Sequence, residues 1–463
     1  MFIFDNSYAR LPAHFYTKMP ATPVRAPAWI ALNDDLAHAL GADPQTLRQH
    51  LDVFAGNTTP EGADPLAQLY AGHQFAGWSP QLGDGRALLL GEVIDTKGHR
   101  RDIQLKGSGP TPYSRNGDGR AAIGPVIREY LVSEAMHALG VPTTRALAAV
   151  TTGETVLRQE GPLPGAILTR VAASHIRVGT FQVFAARQDK DALQKLLTHT
   201  LARHAPDHEG PLGLLHHAIQ VQATLIAKWM GLGFIHGVMN TDNMTLSGET
   251  IDYGPCAFME GFDPAQVFSS IDQFGRYAYH NQPDIALWNL SQLANALLLL
   301  WDDQDQGVSE LTQALNAFAP KFHQAWAETL SAKIGLAPEH VKLGEDLLKL
   351  MAQDKADFTN TFRALGTPEA RDQFVDRDAF DTWQTTWQRH GPDLSQMAQT
   401  NPVIIPRNHR VQEAITAAER GNYAPFKTLH HLLKAPFTAT DENAPYRRPA
   451  EAHEAVTRTF CGT

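Results

Sequence analysis

Apolar and polar positions follow different patterns in different parts of the chain. Residues 1–60 mix short apolar patches with prolines, which is typical of an extended segment that wraps over a core. Residues 81–171 are rich in strand signals. The runs 87–94 and 101–106, joined by a polar turn at 95–98, predict an antiparallel hairpin. Further strands are predicted at 145–151, 155–159 and 166–171.

One helix interrupts the strand-rich part, and helical spacing dominates after Asp189. Residues 125–139 predict a helix, because Pro125 suits a first turn and a glycine and a proline follow its end. Residues 212–230 are apolar on one side, and residues 285–301 are apolar nearly all round, as in a buried central helix. Only residues 233–261 break the pattern, and a hairpin that turns at residues 247–249 is predicted there.

These patterns predict an α+β fold with two lobes, a small β-rich lobe followed by a larger helical lobe. The crevice between two such lobes is a natural place for a ligand. We expect an N-terminal extension over residues 1–75, a β-rich lobe over 76–188, a helical lobe over 189–436 and a C-terminal tail over 437–463.

Composition narrows the class of protein. The chain has 39 Lys and Arg against 49 Asp and Glu, a net charge of −10, which argues against a general nucleic-acid binder. Hydrophobic residues make up 43%, enough for a large core. No apolar run reaches the ~18 residues that span a bilayer, and the N-terminus does not resemble a secretory signal. A soluble, cytoplasmic protein without a membrane segment is therefore expected.

The first candidate chemistry lies in the strand-rich part. In the turn Gly83-Asp84-Gly85-Arg86, glycines let the backbone approach a phosphate and the arginine adds charge, although such a turn more often only joins strands. Lys106 ends a predicted strand and Glu129 lies in the following helix. A strand lysine held by a helix glutamate presents an ammonium group to nucleotide phosphates. The alternative is a surface lysine and an ordinary helix carboxylate.

Two further motifs follow in the irregular stretch. His236 begins a motif that ends at Asn243, and Asp252-Tyr253-Gly254 comes shortly after it. Oxygen atoms of Asn243 and Asp252 are suitable ligands for a hard cation that also binds substrate phosphates. The predicted hairpin between them would bring both side chains to one ion. Each motif alone is common in loops, but their order behind Lys106 and Glu129 indicates a nucleotide site.

These motifs resemble those of the protein-kinase fold, whose signature is H-R-D-x-x-x-x-N followed by D-F-G. His236 and Asn243 keep the spacing from histidine to asparagine, and Asp252-Tyr253-Gly254 stands for D-F-G. Val238 takes the place of the catalytic aspartate. Since an aliphatic side chain cannot accept a proton from a substrate hydroxyl, the ordinary kinase mechanism is not expected.

A more extensive resemblance is to the selenoprotein O family of protein adenylyltransferases. The matching motifs are Gln81-Leu-Gly-Asp-Gly-Arg86, Gln104-Leu-Lys-Gly-Ser-Gly109, Thr111-Pro-Tyr-Ser-Arg115, Gly117-Asp-Gly-Arg120, Ile127-Arg-Glu129, His236-Gly, Met239-Asn-Thr-Asp-Asn243 and Ile251-Asp-Tyr-Gly-Pro-Cys256. The resemblance implies a kinase-like fold that binds ATP inverted, with the α-phosphate facing the acceptor. It also implies transfer of AMP to Ser, Thr or Tyr hydroxyls of partner proteins.

The same resemblance implies roles for individual residues. Lys106, paired with Glu129, would contact phosphate. Arg170 and Arg177 would hold the distal phosphates, although outside the resemblance they resemble arginines in surface pairs. Asp242 would be the general base. The residues that would line the nucleotide are Gly83, Gly85, Arg86, Asp118 and Gly119. The residues that would bind Mg²⁺ or Mn²⁺ are Asn243 and Asp252.

The two cysteines, Cys256 and Cys461, are too few for a disulfide scaffold or a cysteine zinc site. In the resembling family, a position at the end of the tail is selenocysteine or cysteine. A disulfide between Cys256 and Cys461 would tether the tail beside the metal site, so that redox state gates access. The alternative is two unpaired thiols, because disulfides are uncommon in the cytosol.

Two other functions use the same predicted pocket. One is a phosphotransferase that delivers the γ-phosphate, against which Val238 argues. The other is a non-catalytic scaffold that binds ATP without turnover, against which the complete set of Lys106, Glu129, Asn243 and Asp252 argues. A monomer with protein substrates is the expected state.

Overall fold

The computed structural model describes residues 1–159 and 161–460. Its strands are β1 (Tyr16–Lys18), β2 (Ala28–Leu32), β3 (Leu66–Gln68), β4 (Gly72–Gln74), β5 (Gly77–Ser79), β6 (Ala87–Ile94), β7 (Arg100–Lys106), β8 (Ala121–Ala122), β9 (Arg145–Arg158), β10 (Gly161–Ala172), β11 (Phe234–Ile235) and β12 (Ala257–Phe258).

The helices are α1 (Asp34–Ala39), α2 (Pro44–Arg48), α3 (Leu51–Phe54), α4 (Ile123–Ala138), α5 (Val178–Ala186), α6 (Lys190–His204), α7 (Gly210–Gly231), α8 (Gln282–Leu297), α9 (Gln304–Leu315), α10 (Phe318–Lys333), α11 (Val341–Asp354), α12 (Phe358–Ala364), α13 (Arg377–Arg389), α14 (Leu394–Thr400), α15 (Asn408–Glu419) and α16 (Ala424–Leu433). The sheet region thus precedes a helical region, which confirms the predicted mixed architecture of strands and helices.

An antiparallel sheet forms the first region, with the strand order β1-β3-β6-β7-β10-β9-β2 and β8 beside β10. The predicted hairpin of β6 and β7 is confirmed, with Ala87 opposite Lys106 and Ile94 opposite Arg100. The two outer strands, β1 and β2, come from the first 32 residues, so this segment completes both edges of the sheet.

Two sequence predictions need correction. The runs 145–151 and 155–159 form one strand, β9, because β10 pairs with it on both sides of Gly153, whose left-handed backbone has a φ of 68°. The predicted hairpin at 247–249 is not a strand ladder. Its arms bridge different partners, Thr245 with Arg177 and Thr250 with Thr143. The turn is closed by the Thr245 hydroxyl, which donates to the Glu249 carbonyl at 2.7 Å.

Helix α4 lies against the sheet, and two helices from near the C-terminus cover it. Tyr130 and Ile127 of α4 share one apolar cluster with Leu168 of β10, Val411 of α15 and Phe426 of α16. Because Glu129 lies on this helix, the packing fixes the distance of its carboxylate from β7 and β10. The sheet, α4 and the C-terminal helices together form the frame of the site.

The helical region is built on α7 and α8. The predicted helix at 212–230 is confirmed as α7, and the prediction at 285–301 corresponds to α8 followed by a 3₁₀ turn at Leu298–Leu300. Leu290 and Leu293 of α8 are fully buried, in agreement with a central helix. Within the described residues, no helix has both the length and the apolar character needed to cross a bilayer.

Candidate active site

Asp252 is the centre of a cluster of cations. Its carboxylate lies 2.6 Å from Lys106 Nζ, 2.7 Å from Arg170 Nη1 and 3.4 Å from Arg177 Nη1. These cations come from the end of β7, from β10 and from the residue before α5. The Asp252 side chain is 24% exposed, whereas those of Arg170 and Arg177 are 2% and 3% exposed. The structure therefore brings four residues from distant parts of the sequence to one point.

The charge state of Asp252 follows from these neighbours. Burial opposes ionisation, but the ammonium of Lys106 and the guanidiniums of Arg170 and Arg177 outweigh it and hold the pKa of Asp252 well below its usual range. The carboxylate is ionised at neutral pH. An anion that enters this cluster meets three cations, and a divalent metal meets a negatively charged oxygen ligand.

Glu129 bridges two of the cations. Its Oε2 atom lies 2.6 Å from Lys106 Nζ, and its Oε1 atom lies 3.1 Å from Arg170 Nη1. The carboxylate side chain is only 5% exposed, so water screens these pairs weakly. The predicted pair of Lys106 and Glu129 is thus present, with Arg170 as an additional partner.

The backbone at the two motifs is held by His236. Its ring accepts a hydrogen bond from Val238 N on Nδ1 at 3.3 Å, so Nε2 is the atom that donates to the Ile251 carbonyl at 2.8 Å. Burial lowers the pKa of His236, which agrees with a neutral ring. Asp252 follows with a left-handed φ of 63°, a conformation uncommon for residues other than glycine. His236 therefore ties the 236–243 loop to the residue before Asp252.

Sequence reasoning missed Gln104, which is completely buried in β7. Its Oε1 atom accepts hydrogen bonds from Arg170 Nε at 3.1 Å and Nη2 at 2.6 Å, and its Nε2 atom donates to Asp84 at 3.2 Å. Gln104 and Lys106 are two residues apart and so share a face of the strand. The position of Gln104 on the same strand face as Lys106 is the sequence signal that would have identified Gln104 as a site residue.

Arg177 has two further partners. Its guanidinium lies over the Tyr70 ring, 4.4 Å from the centroid, which is a cation–π contact. Its Nη2 atom lies 3.7 Å from Asp84, and burial raises the pKa of Asp84 to about 6. Neither Tyr70 nor Asp84 was assigned a role from the sequence, although Asp84 lies inside the glycine turn.

The glycines of that turn pack closely against a neighbouring loop. A Cβ atom on Gly83 would lie 2.5 Å from the Tyr113 ring, and one on Gly85 would lie 2.8 Å from the Tyr113 carbonyl. The carbonyl of Arg86 accepts a hydrogen bond from Gly107 N at 2.7 Å, which places the turn beside the end of β7. Close packing therefore accounts for both glycines, and Asp84 joins the turn to the cluster.

Asp118 and Gly119 lie on a loop beside the sheet. Asp118 pairs with Arg158 at 2.8 Å and accepts a hydrogen bond from Arg120 N at 2.9 Å. Gly119 packs on the backbone of Gly109, where a Cβ atom would lie 2.2 Å from the Gly109 carbonyl carbon. In the described part of the chain, the structure does not bring these two residues into contact with the Asp252 cluster.

Asp242 and Asn243 lie in a 3₁₀ turn at Thr241–Asn243. Asp242 is 7% exposed, its carbonyl accepts a hydrogen bond from Arg177 Nη1 at 2.9 Å, and burial raises the pKa of its carboxyl group to about 6. The Asn243 amide nitrogen donates to the Val238 carbonyl at 3.0 Å. The amide oxygen of Asn243 is then the atom suited to a cation.

The donor set fits a divalent metal that arrives with a nucleotide. Mg²⁺ usually takes one or two protein oxygens together with phosphates and waters. The ionised carboxylate of Asp252 and the amide oxygen of Asn243 are oxygens of this kind. Within the described residues, no group of three or more His, Cys, Asp or Glu side chains is placed to hold a metal by itself.

Cys256 is buried, and the residue before it contacts the last part of the described chain. Burial raises the pKa of its thiol to about 12, and it is 1% exposed. The hydroxyl of Thr459 donates to the carbonyl of Pro255, the residue before Cys256, at 2.5 Å. Cys461, the predicted disulfide partner, lies outside the described residues. The tail therefore reaches the neighbour of Cys256 two residues before Cys461.

Comparisons with known proteins agree with the motifs. A family model described as protein adenylyltransferase SelO matches residues 2–434. The chain is 60% identical to the protein nucleotidyltransferase YdiU of Roseobacter denitrificans, with 99% of both chains covered. It is 58% identical to the YdiU protein of a Ruegeria species, with 99% of both chains covered, and 55% identical to that of Methylorubrum extorquens, with 100% of this chain and 99% of the relative covered.

Proposed function

The chain belongs to the SelO family of protein adenylyltransferases, and from this membership we propose that it transfers AMP from ATP to Ser, Thr or Tyr hydroxyls of other proteins. The relatives are named protein nucleotidyltransferases, and the match extends over nearly the whole chain. Pyrophosphate is the other product.

One observation supports this proposal most directly: Lys106, Arg170 and Arg177 converge on Asp252 within 3.4 Å. Nucleotidyl transfer depends mainly on fixed positive charge that stabilises the phosphate oxygens. With ATP bound, Lys106 and the two arginines contact phosphates, and the arginines hold the two that leave. Asp252 and Asn243 would hold Mg²⁺ or Mn²⁺, and the metal would neutralise phosphate charge.

The reaction requires a proton acceptor for the hydroxyl of the target protein. Asp242 takes this proton, and the oxygen of the hydroxyl forms a bond to the α-phosphorus. The bond from the α-phosphorus to the bridging oxygen breaks, and pyrophosphate leaves with the electron pair. Val238 lies where a kinase has its catalytic aspartate, so the base comes from Asp242 instead.

The sheet region and the helical region correspond to the two lobes of a kinase-like fold. Residues 76–188 form most of the small lobe, residues 189–436 form the helical lobe, and residues 437–463 form the tail. Residues 1–75 are an N-terminal extension that adds strands β1, β2 and β3 to the sheet of the small lobe. ATP binds inverted between the lobes, with its α-phosphate toward the acceptor. Gly83, Gly85, Arg86, Asp118 and Gly119 line the nucleotide.

A disulfide between Cys256 and Cys461 regulates access to the site. The contact of Thr459 with Pro255 at 2.5 Å supports it, since it brings the tail next to Cys256. Mass spectrometry of peptides under non-reducing conditions should detect the linked pair. Activity that does not respond to a reductant, or peptides that are never linked, would contradict redox control.

Labelled ATP distinguishes the three candidate functions. The protein is incubated with Mg²⁺ or Mn²⁺ and with ATP labelled on the α-phosphate or on the γ-phosphate. Retention of the α-label alone on protein supports AMP transfer, whereas retention of the γ-label identifies a phosphotransferase. ATP binding without retention of either label identifies a scaffold. The Lys106→Ala variant is the matched control and should retain neither label.

A further inference from the structure

A short hairpin covers Asp242. Strands β4 and β5 form a separate two-stranded sheet, with Gly72 opposite Ser79 and Gln74 opposite Gly77. The two residues at the tip, Phe75 and Ala76, have left-handed backbone angles, with φ of 50° and 66°. This conformation is sterically unfavourable for a residue that carries a side chain. Contacts outside the turn must therefore hold the hairpin in place.

Those contacts are made to the residues just before Asp242. His73 N donates to the Thr241 hydroxyl at 2.7 Å, and Phe75 N donates to Asn240 Oδ1 at 3.0 Å. The hydroxyl of Tyr277 donates to the same Asn240 oxygen at 2.6 Å, and the Tyr277 ring lies 5.1 Å from the Phe75 ring. The hairpin is thus fixed on both sides of Gln74.

Gln74 reaches the carboxylate of Asp242 from between these anchors. Its Nε2 atom donates to Asp242 Oδ2 at 3.1 Å. The other oxygen, Oδ1, is buried and has no hydrogen-bond partner among the described residues. A Cβ atom on Gly72 would lie 2.6 Å from this Oδ1 and 3.0 Å from Leu82. The carboxylate is therefore enclosed on one side and held by an amide on the other.

This arrangement leaves one oxygen for chemistry. A carboxylate oxygen has two lone pairs, so Oδ2 accepts the Gln74 hydrogen bond and still has a lone pair for a hydroxyl proton. Oδ1 is the less accessible oxygen, because it is buried and lies close against Gly72. An interaction that stops rotation of the carboxylate thus directs the reactive oxygen.

We propose that Gln74 is a positioning residue for the transfer, because its amide fixes Asp242 with Oδ2 directed to the acceptor hydroxyl. The proposal rests on the proposed function, since it requires Asp242 to act as the base. The hydrogen bond of the Gln74 amide is to Asp242, and the cations around Asp252 have other partners. Gln74 therefore affects turnover and leaves ATP binding unchanged.

The test uses the full-length protein and the Gln74→Met variant, whose side chain has a similar length but no donor. Transfer of the α-label is measured on the protein itself and on casein, a hydroxyl-rich acceptor, and calorimetry with Mg²⁺ measures ATP affinity. A misplaced catalytic group costs about tenfold to a hundredfold in rate. We expect kcat to fall by that factor, with ATP affinity within twofold of the unmutated protein.

A second substitution separates positioning from simple loss of the hairpin. Ala76→Gly relieves the left-handed turn and should keep the unmutated rate. If Gln74 only stabilised the hairpin, adding Ala76→Gly to the Gln74→Met variant would bring its kcat back to that of the unmutated protein. We expect no restoration in the double variant. Gly72→Ala, which crowds Asp242 Oδ1, should also lower kcat with ATP affinity retained.

The outcomes of the two proposals are distinct. If the unmutated protein transfers no α-label to itself or to casein, the proposed function fails, whatever Gln74 does. If it transfers label and Gln74→Met has an unchanged or higher kcat, the role of Gln74 is overturned. Restoration by Ala76→Gly would overturn it as well.

Discussion

Gln104 and Arg170 are register partners on neighbouring strands, and Gln104 Oε1 lies 2.6 Å from Arg170 Nη2 and 3.1 Å from Arg170 Nε. This two-point contact fixes the plane of the guanidinium, which then reaches Asp252 at 2.7 Å through Nη1. The Nε2 atom of the same Gln104 amide donates a hydrogen bond to Asp84 at 3.2 Å. A neutral side chain thus orients one of the two arginines proposed to hold phosphate.

Gln104→Leu should therefore weaken catalysis. The substitution leaves two donors of Arg170 without their acceptor, and a hydrogen bond to a charged group contributes about 1.5–3 kcal/mol. We expect kcat/KM for ATP to fall about tenfold to a hundredfold, since 1.4 kcal/mol corresponds to about tenfold. The kcat/KM value is measured by the transfer of AMP from α-labelled ATP to protein. Thr169→Val, which removes a buried hydroxyl without a partner in the described chain, is the matched control. An equal loss in both variants would refute the orienting role.

The two aspartates should differ in the severity of their loss. Asp252→Ala removes the carboxylate between Lys106, Arg170 and Arg177 and a proposed metal ligand, so no transfer should be detectable. Asp242→Ala removes a base, which contributes about 10²- to 10⁴-fold, so residual turnover should remain. Initial rates of label transfer provide the comparison, with thermal melts to check folding. Equal, mild losses at both positions would contradict the assignment.

Lys333 should make stability depend on pH in the alkaline range. It is buried, its ammonium lies 4.3 Å from the centroid of Phe362, and it donates to Asn401 at 2.9 Å. Burial lowers its pKa from 10.5 to about 7. Between those values the unfolded chain binds more protons than the folded one, so the free energy of unfolding rises with pH.

The variant Lys333→Met should lose this increase. Between pH 7 and pH 10 the free energy of unfolding of the unmutated protein should rise by about 3 kcal/mol more than that of Lys333→Met, as measured by denaturant unfolding. Lys321→Met, on the same helix, is the control and should keep the unmutated pH dependence. If Lys333→Met keeps the same slope as well, Lys333 is charged in the folded protein up to high pH.

His430 should contribute to loss of stability in acid. Its ring is stacked on Phe426 and lies edge-on to Tyr130 at 5.1 Å, and burial lowers its pKa to about 4. Between pH 6.5 and 4 the unfolded chain binds more protons, so stability falls as the pH decreases. His430→Gln should flatten this fall by on the order of 1–3 kcal/mol, as measured by denaturant unfolding. The exposed neighbour His431, substituted by Gln, should leave the slope unchanged; equal slopes in all three proteins would contradict this origin.

Local patterns predicted the elements well where the signal lies within a few residues. The β6–β7 hairpin follows from two apolar runs and the turn at residues 95–98, and α4 follows from Pro125, its apolar spacing and the stop after it. The pattern failed at β9, because β10, the next strand along the chain, pairs with it on both sides of Gly153 and joins the two predicted runs. It failed at residues 247–249, because the arms of that turn bridge residues that are distant in the chain. The glycine turn was correctly selected, but packing on Tyr113 explains its glycines.

The sequence alone determined which chemical groups are present and in which order: a lysine at a strand end, a helix glutamate, and two loops with Asp242, Asn243 and Asp252. Only the tertiary structure decided that Lys106, Arg170 and Arg177 share one carboxylate and that Gln104 and Gln74 orient their neighbours. The physical reason is that hydrophobic periodicity specifies which face of an element is buried. Which side chains then meet depends on strand register and on packing between elements that are far apart in the chain.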